Sequence, residues 1–278
     1  MKNLIIGIII HTALVTSMIA QDSIALEPQH LLGFFTGVSS HILRDDIISP
    51  LLYSGSQLPI LVSYKYRGQK SREMFTAYYE NLQLSSSITN NSTSSHYVHD
   101  TKALFEYWYC TRVFTIPNFK TNCYLGGNVS GFMNWKDFYY SKGTKATSME
   151  SMIGLGFNAL FETTFSETSM NYLSIHFHTP LLSYMLVSER YNVNVGNLDY
   201  DLELDDNMYW WVFKQGSLVT LNKLFEVRAE VSYTMFISSA FALEAQYRFQ
   251  FYSFAQYKDL FHARYLNNQF LLGLNVIL

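Results

Sequence analysis

The chain has 278 residues, a formal net charge of −3 and 17% aromatic side chains, among them 21 Tyr and 21 Phe. That charge offers no basic face of the kind nucleic-acid binding requires, and a mean hydropathy of +0.03 is low for a bundle of spanning helices. Tyr and Phe favour strands, and aromatic rings collect at the two interfaces of membrane barrels.

Lys2 gives the N-terminus a short positive start. A dense apolar run follows from Leu4 to Ile10, extended from Ala13 to Ile19, and Ala20-Gln21 is a cleavage junction with Met18 as its weak point. Residues 1–20 read as a secretory signal peptide; the rival reading, a retained N-terminal anchor, is disfavoured because the stretch is short for a spanning helix. No Cys lies near the junction to carry a lipid anchor. Beyond residue 20 no window of about 18 uncharged apolar residues occurs, so no further helix spans a membrane. Residues 21–278 are expected to form one domain.

Period-two alternation predicts strands over 31–42, 57–66, 71–85, 100–115, 119–132, 151–164, 168–178, 222–235, 240–254 and 266–278. Short connections (67–70, 116–118, 165–167, 236–239) alternate with long ones (43–56, 86–99, 133–150, 179–221, 255–265), which is the outer-membrane barrel layout. The even count places both termini on the periplasmic side. The alternation is clearest late in the chain. Phe241, Leu243, Ala245, Tyr247, Phe249 and Phe251 share one face, and Glu244, Gln246, Arg248 and Gln250 the other. Strands of about ten residues or more, with charges of both signs on the polar face, favour a transmembrane barrel over a sandwich. The expected fold is therefore all-β: a single antiparallel transmembrane β-barrel of about ten strands. Two more strands near 182–188 and 207–214 would make twelve, or 179–221 would plug the lumen.

The stretch from Leu31 through Leu84 contains Ser49-Pro50-Leu51-Leu52-Tyr53-Ser54-Gly55 and then Val62-Ser63-Tyr64-Lys65-Tyr66-Arg67. Together with Pro180-Leu181-Leu182-Ser183-Tyr184 and Arg190-Tyr191, it resembles a family of uncharacterised Gram-negative outer-membrane β-barrel proteins. The resemblance implies that fold and an outer-membrane location. It implies no activity and no functional residues.

Four constellations could carry chemistry. Ser174, His176 and His178 lie on the polar face of one strand and should point into the lumen; a His-X-His pair can hold a metal, and His near Ser suggests acyl hydrolysis. The Ser-X-His order and the absence of a following Asn depart from the outer-membrane acyl hydrolases, and two inert lumen histidines are the bland reading. Asp199, Asp201, Glu203 and Asp205 share one face of an extended segment and offer oxygen ligands for Ca²⁺, although the EF-hand glycine and closing Glu are missing; a solvated acidic loop is the default. No other cofactor is implied. Glu226, Arg228, Glu230, Glu244 and Arg248 form a lumen charge network; if 236–238 closes a hairpin, Glu226 faces Arg248, Arg228 faces Gln246 and Glu230 faces Glu244. Cys110 and Cys123 flank the turn at Pro117, with Arg112 expected opposite Cys123, and an exported pair permits a disulfide.

Three functions follow. The first is a non-enzymatic barrel, either a narrow channel or a structural or accessory subunit of an outer-membrane complex, since a barrel of this size is nearly filled by its own side chains. The second is a hydrolase acting on lipid or peptide at the outer rim. The third is a surface-binding protein acting through loops 133–150 and 179–221, with Trp135, Tyr139, Tyr140, Trp210 and Trp211 as anchors. The expected partners are outer-membrane lipid, lipopolysaccharide and other outer-membrane proteins, with no nucleic acid.

Overall fold

Alternating sequences of this kind satisfy their backbone only by pairing with neighbours, and the chain pairs all the way round. A computed structural model describes residues 28–46, 49–86, 96–140, 145–165, 171–187, 216–256 and 261–278. Its strands are β1 (Gln29–Asp45), β2 (Ser49–Gln57), β3 (Ile60–Arg67), β4 (Ser71–Ser86), β5 (Tyr97–Ile116), β6 (Thr121–Tyr139), β7 (Lys145–Thr164), β8 (Tyr172–Val187), β9 (Ser217–Thr220), β10 (Leu224–Phe236), β11 (Phe241–Gln256) and β12 (Phe261–Ile277). All pairings are antiparallel, and β12 pairs with β1 from Leu31↔Ile277 to Asp45↔Ala263. That pairing closes the sheet into a barrel, so no edge is left exposed.

The twelve strands among the described residues make ten staves. β2 and β3 both pair with β1 and with β4, and form one stave broken at Leu58-Pro59, where Pro59 has no N–H to give the ladder. β9 and β10 both pair with β8 and form one stave interrupted by a turn at 221–223. The barrel therefore has the ten-stave layout read from the alternation. Of the segment 182–188, offered above as an extra strand, residues 182–187 are the continuation of β8, and residue 188 and 207–214 lie outside the described residues. Two predicted loops are also shorter than expected. Much of 133–150 belongs to β6 and β7, and most of 43–56 to β1 and β2.

The start of β1, the end of β12 and the short connections lie at one end, here called the lower end. The β5–β6 turn there is a short 3₁₀ turn at Pro117–Phe119, closed by Lys120 at φ 48°. Neighbouring backbones approach so closely at Gly126 that a Cβ would meet Cys110 Cα at 2.7 Å, a contact only glycine avoids.

Along the lower part of each stave the pattern is inside-out relative to a soluble protein. Outward rows are apolar: Phe75, Ala77 and Tyr79 on β4; Phe105, Tyr107 and Tyr109 on β5; Ile153, Leu155 and Phe157 on β7; Phe270, Leu272 and Leu274 on β12. Inward rows carry Thr76, Glu80, Glu106, Asn158, Glu162, Glu230, Glu244 and Gln269, all buried. This is the layout of a transmembrane barrel.

Higher up, the same pleat continues but its chemistry reverses. The outward positions become Asn81, Gln83 and Ser85 on β4, Ser54 and Ser56 on β2, and Thr101 and His99 on β5, with Leu52, Trp135 and Leu218 among the apolar exceptions. Inward positions become Leu82, Leu84, Val98, Leu43, Tyr53, Phe138, Ala146, Val219 and Phe254, which belong to one apolar cluster. A tilted strand needs about 9–11 residues to cross a bilayer, whereas β5 and β7 have 20 each. The extra length is an apolar-cored extension above the lipid-facing wall.

Candidate functional site

The inward rows of ten staves meet in the lumen, so charges distant in sequence become neighbours. At the lower end Glu162 on β7 receives two arginines from the β3–β4 hairpin. Arg72 binds it through Nε at 3.0 Å and Nη2 at 2.8 Å, and Arg67 through Nη2 at 2.8 Å. The guanidinium of Arg67 lies 3.8 Å from the Tyr172 ring centroid, and that of Arg72 4.6 Å from Tyr124. Beside them Lys65 Nζ donates to Glu244, whose carboxylate also accepts from Gln246 at 2.7 Å and Asn275 at 2.9 Å.

The middle layer holds the residues singled out in the sequence. His176 and His178 are both buried and face inward. Their ring centroids are 5.6 Å apart, and His176 packs 4.7 Å from the Trp108 indole. His178 Nδ1 meets Glu106, and Arg228 reaches the same carboxylate at 3.4 Å. Ser174 bonds to Ser232 at 2.7 Å. These residues sit on the lower half of β8, inside the lumen, so they are not at the outer rim where a rim hydrolase would need them. Among the described residues no group of three His, Cys, Asp or Glu is placed to hold a metal ion.

The charge network exists with a different register from the one expected. The turn is formed by 237–240, and the hairpin pairs Glu226 with Tyr252, Arg228 with Gln250, Glu230 with Arg248 and Thr234 with Glu244. The longer turn slides every partner four positions from the expected match. Arg248 Nε donates to Glu230 at 2.7 Å, and Glu226 accepts from Arg228 at 2.5 Å and Gln250 at 2.8 Å. Glu244 is bound from β3, so the network crosses the lumen and is not confined to one hairpin.

A bulge in β5 between Arg112 and Phe114 changes the cysteine geometry too. Arg112 faces Tyr124, Cys123 faces Phe114, and Cys110 faces Gly126. Both thiols are free and buried, so the disulfide the sequence permitted is not formed. Asp199, Asp201, Glu203 and Asp205, with Trp210 and Trp211, lie outside the described residues.

Two inner clusters escaped the sequence reading. Glu80 is held by Ser39 Oγ at 2.6 Å, by His41 Nε2 at 2.5 Å and by the Tyr78 hydroxyl, while Tyr265 meets His41 Nδ1. Serine and carboxylate crowd the same ring nitrogen, whereas a nucleophile and an orienting acid need opposite nitrogens. All five residues are buried. Above them Lys136 bridges Asp45 at 3.2 Å and Glu150 at 2.5 Å, and Tyr252 donates to Glu150 at 2.8 Å. The usable signal was parity: Lys102, Glu106, Trp108 and Cys110 share one face of β5, as Glu80, Tyr78 and Arg72 do on β4.

Among the described residues, cavities open between these layers: one of about 50 Å³ lies among Glu106, His178, Arg228 and Arg248, and another of about 30 Å³ among Arg67, Arg72, Glu162 and Ser174. Each has room for a few water molecules. Above them Lys102 lies 4.3 Å from the Tyr265 ring centroid and donates to Gln250 at 2.9 Å, and the apolar cluster of the upper extension then packs around the Lys136–Asp45–Glu150 group. A hollow of about 450 Å³ against β4–β8 has mostly outward-facing lining, including Ala77, Ala103, Met133 and Ile153.

No family model and no curated protein matches the sequence. Among solved structures, the chain is similar to the outer membrane protease OmpT from Escherichia coli, at 9% identity and a TM-score of 0.47, covering 90% of this chain and 96% of that one. It is similar to the translocator domain of the autotransporter NalP from Neisseria meningitidis at 9% identity and a TM-score of 0.43, covering 96% and 93%. An outer membrane channel from Pseudomonas putida F1 gives 8% and 0.35, covering 93% and 97%. The named proteins differ in activity, and likeness at this distance transfers none; the barrel is established by the chain's own strand pairing.

Proposed function

We propose that the chain is exported by a cleaved leader, residues 1–20, and resides in the outer membrane of a Gram-negative cell as a closed, non-enzymatic barrel. In this role it is a structural or accessory component and not a solute channel. The observation that carries the reading is the filled lumen. Salt-bridged layers occupy its lower part, with cavities of about 50 and 30 Å³ between them, and an apolar cluster with the buried Lys136–Asp45–Glu150 group occupies its upper part. Side chains that meet across a bore of this size fill most of it. A rim hydrolase is disfavoured because Ser174 is bonded to Ser232 and lies with His176 and His178 in the lower lumen.

Planar-bilayer recording on the refolded full chain tests this. Silence across salts and voltages is the expected result. Reproducible conductance steps that change when Arg248 or Glu230 is neutralised would establish an open lumen and replace the closed-barrel reading.

A further inference from the structure

Where the outer wall of β1 and β12 changes from apolar to polar, two arginines face each other. Arg44 and Arg264 are directly opposed across the β1–β12 ladder, and both are exposed on the outer face. One outward position below them, Ile42 and Leu266 are opposed in the same way, with Phe251 beside Leu266 on β11. Ser253 faces Arg264 from β11. Arg44 commits Nε to Asp46 at 2.6 Å, whereas no ion pair among the described residues is seen at Arg264.

Like charges directly opposite in an antiparallel pair repel and destabilise the sheet. Asp46 already lies on Arg44 Nε, so an anion shared between Arg44 and Arg264 relieves what repulsion remains. Guanidinium forks match phosphate geometry and bind it more strongly than a point charge does. The ligand must also suit the place. The arginines are exposed on the outer wall one outward position above Ile42 and Leu266, so acyl chains would find an apolar contact beside the charge. A free phosphate would use the charge alone, whereas a phosphorylated lipid would use the charge and the apolar row together.

We propose that Arg44 and Arg264 form a clamp for a phosphomonoester headgroup of the outer-leaflet glycolipid. This rests on the membrane reading above. The test uses the full chain refolded in detergent micelles, first verified as folded by β-sheet circular dichroism. Native mass spectrometry then follows titration with a bisphosphorylated, acylated glucosamine disaccharide. The wild type should take up one lipid, and R44Q/R264Q should bind about tenfold more weakly or worse, the loss of one charge-assisted phosphate site. The dephosphorylated lipid should bind the wild type as weakly, and inorganic phosphate should not compete at equal concentration. Without lipid, Arg264→Gln should raise the unfolding midpoint, because the repulsion is gone. No adduct on the wild type, equal binding by R44Q/R264Q, or equal binding of dephosphorylated lipid would overturn the clamp. Competition by inorganic phosphate would make it a free-anion site instead. A chain that folds only as a water-soluble protein would overturn the membrane reading and the clamp with it.

Discussion

Replacing Glu162 by Gln is expected to cost the folded barrel about 3–5 kcal/mol, the usual penalty for breaking a buried ion pair from one side. Glu162 is 3% exposed and is the shared acceptor of Arg67 and Arg72. Glutamine keeps the shape and one acceptor oxygen but leaves two buried guanidiniums without their anion. The cations cannot shed their charge, since arginine stays protonated in proteins. Neither ring contact, with Tyr172 or with Tyr124, replaces a carboxylate. The measurement is urea unfolding of the refolded chain in micelles, followed by tryptophan fluorescence. Glu73→Gln is the control: Glu73 belongs to the outward row, next to Arg72, and should shift stability by no more than about 0.5 kcal/mol. An E162Q midpoint equal to the wild type would mean that the lower layer does not hold the staves together.

The second large effect is at Lys136. Its side chain is fully buried between Asp45 and Glu150, so one ammonium ties the upper end of β6 to β1 and β7. Lys136→Met removes that cation with little change in volume and should also cost about 3–5 kcal/mol, because two buried carboxylates are left facing each other. The diagnosis is in the rescue. Adding D45N and E150Q to K136M removes the stranded charges and should recover much of the loss, as neutral replacements of whole buried ion groups do. If the triple variant is no more stable than K136M alone, the loss comes from packing and not from charge.

The barrel was legible because alternation survives in every stave, whatever the residues mean. Phe241 to Phe251 and Phe270 to Leu274 mark the outer wall by parity alone, and the ten predicted strands became ten staves. Strand ends were less legible for a physical reason. Above the lipid-facing wall the apolar parity moves to the inside, so 43–56 and 133–150 read as loops although β1 and β2, and β6 and β7, extend into them. Leu82 and Leu84 point inward where Tyr79 and Ala77 pointed outward, and a reader following hydrophobicity loses the strand there. Register was legible only as far as the turns were. One unrecognised four-residue turn at 237–240 moved Glu230 from Glu244 to Arg248. The partners of Glu162, Glu80 and Lys136 were out of reach of the sequence, since Arg67 and Glu162 meet across the bore and no local rule pairs them.

The central claim is that one stave passes from lipid to water while its pleat stays constant, and nitroxide accessibility along β4 tests it most directly. Labels placed singly at Phe75 and Gln83, in a chain with Cys110 and Cys123 replaced by Ala, would be read in lipid vesicles against dissolved oxygen and a water-soluble nickel chelate. The account predicts that position 75 is quenched chiefly by oxygen and position 83 chiefly by the chelate. Chelate quenching at both positions, or oxygen quenching at both, would contradict it.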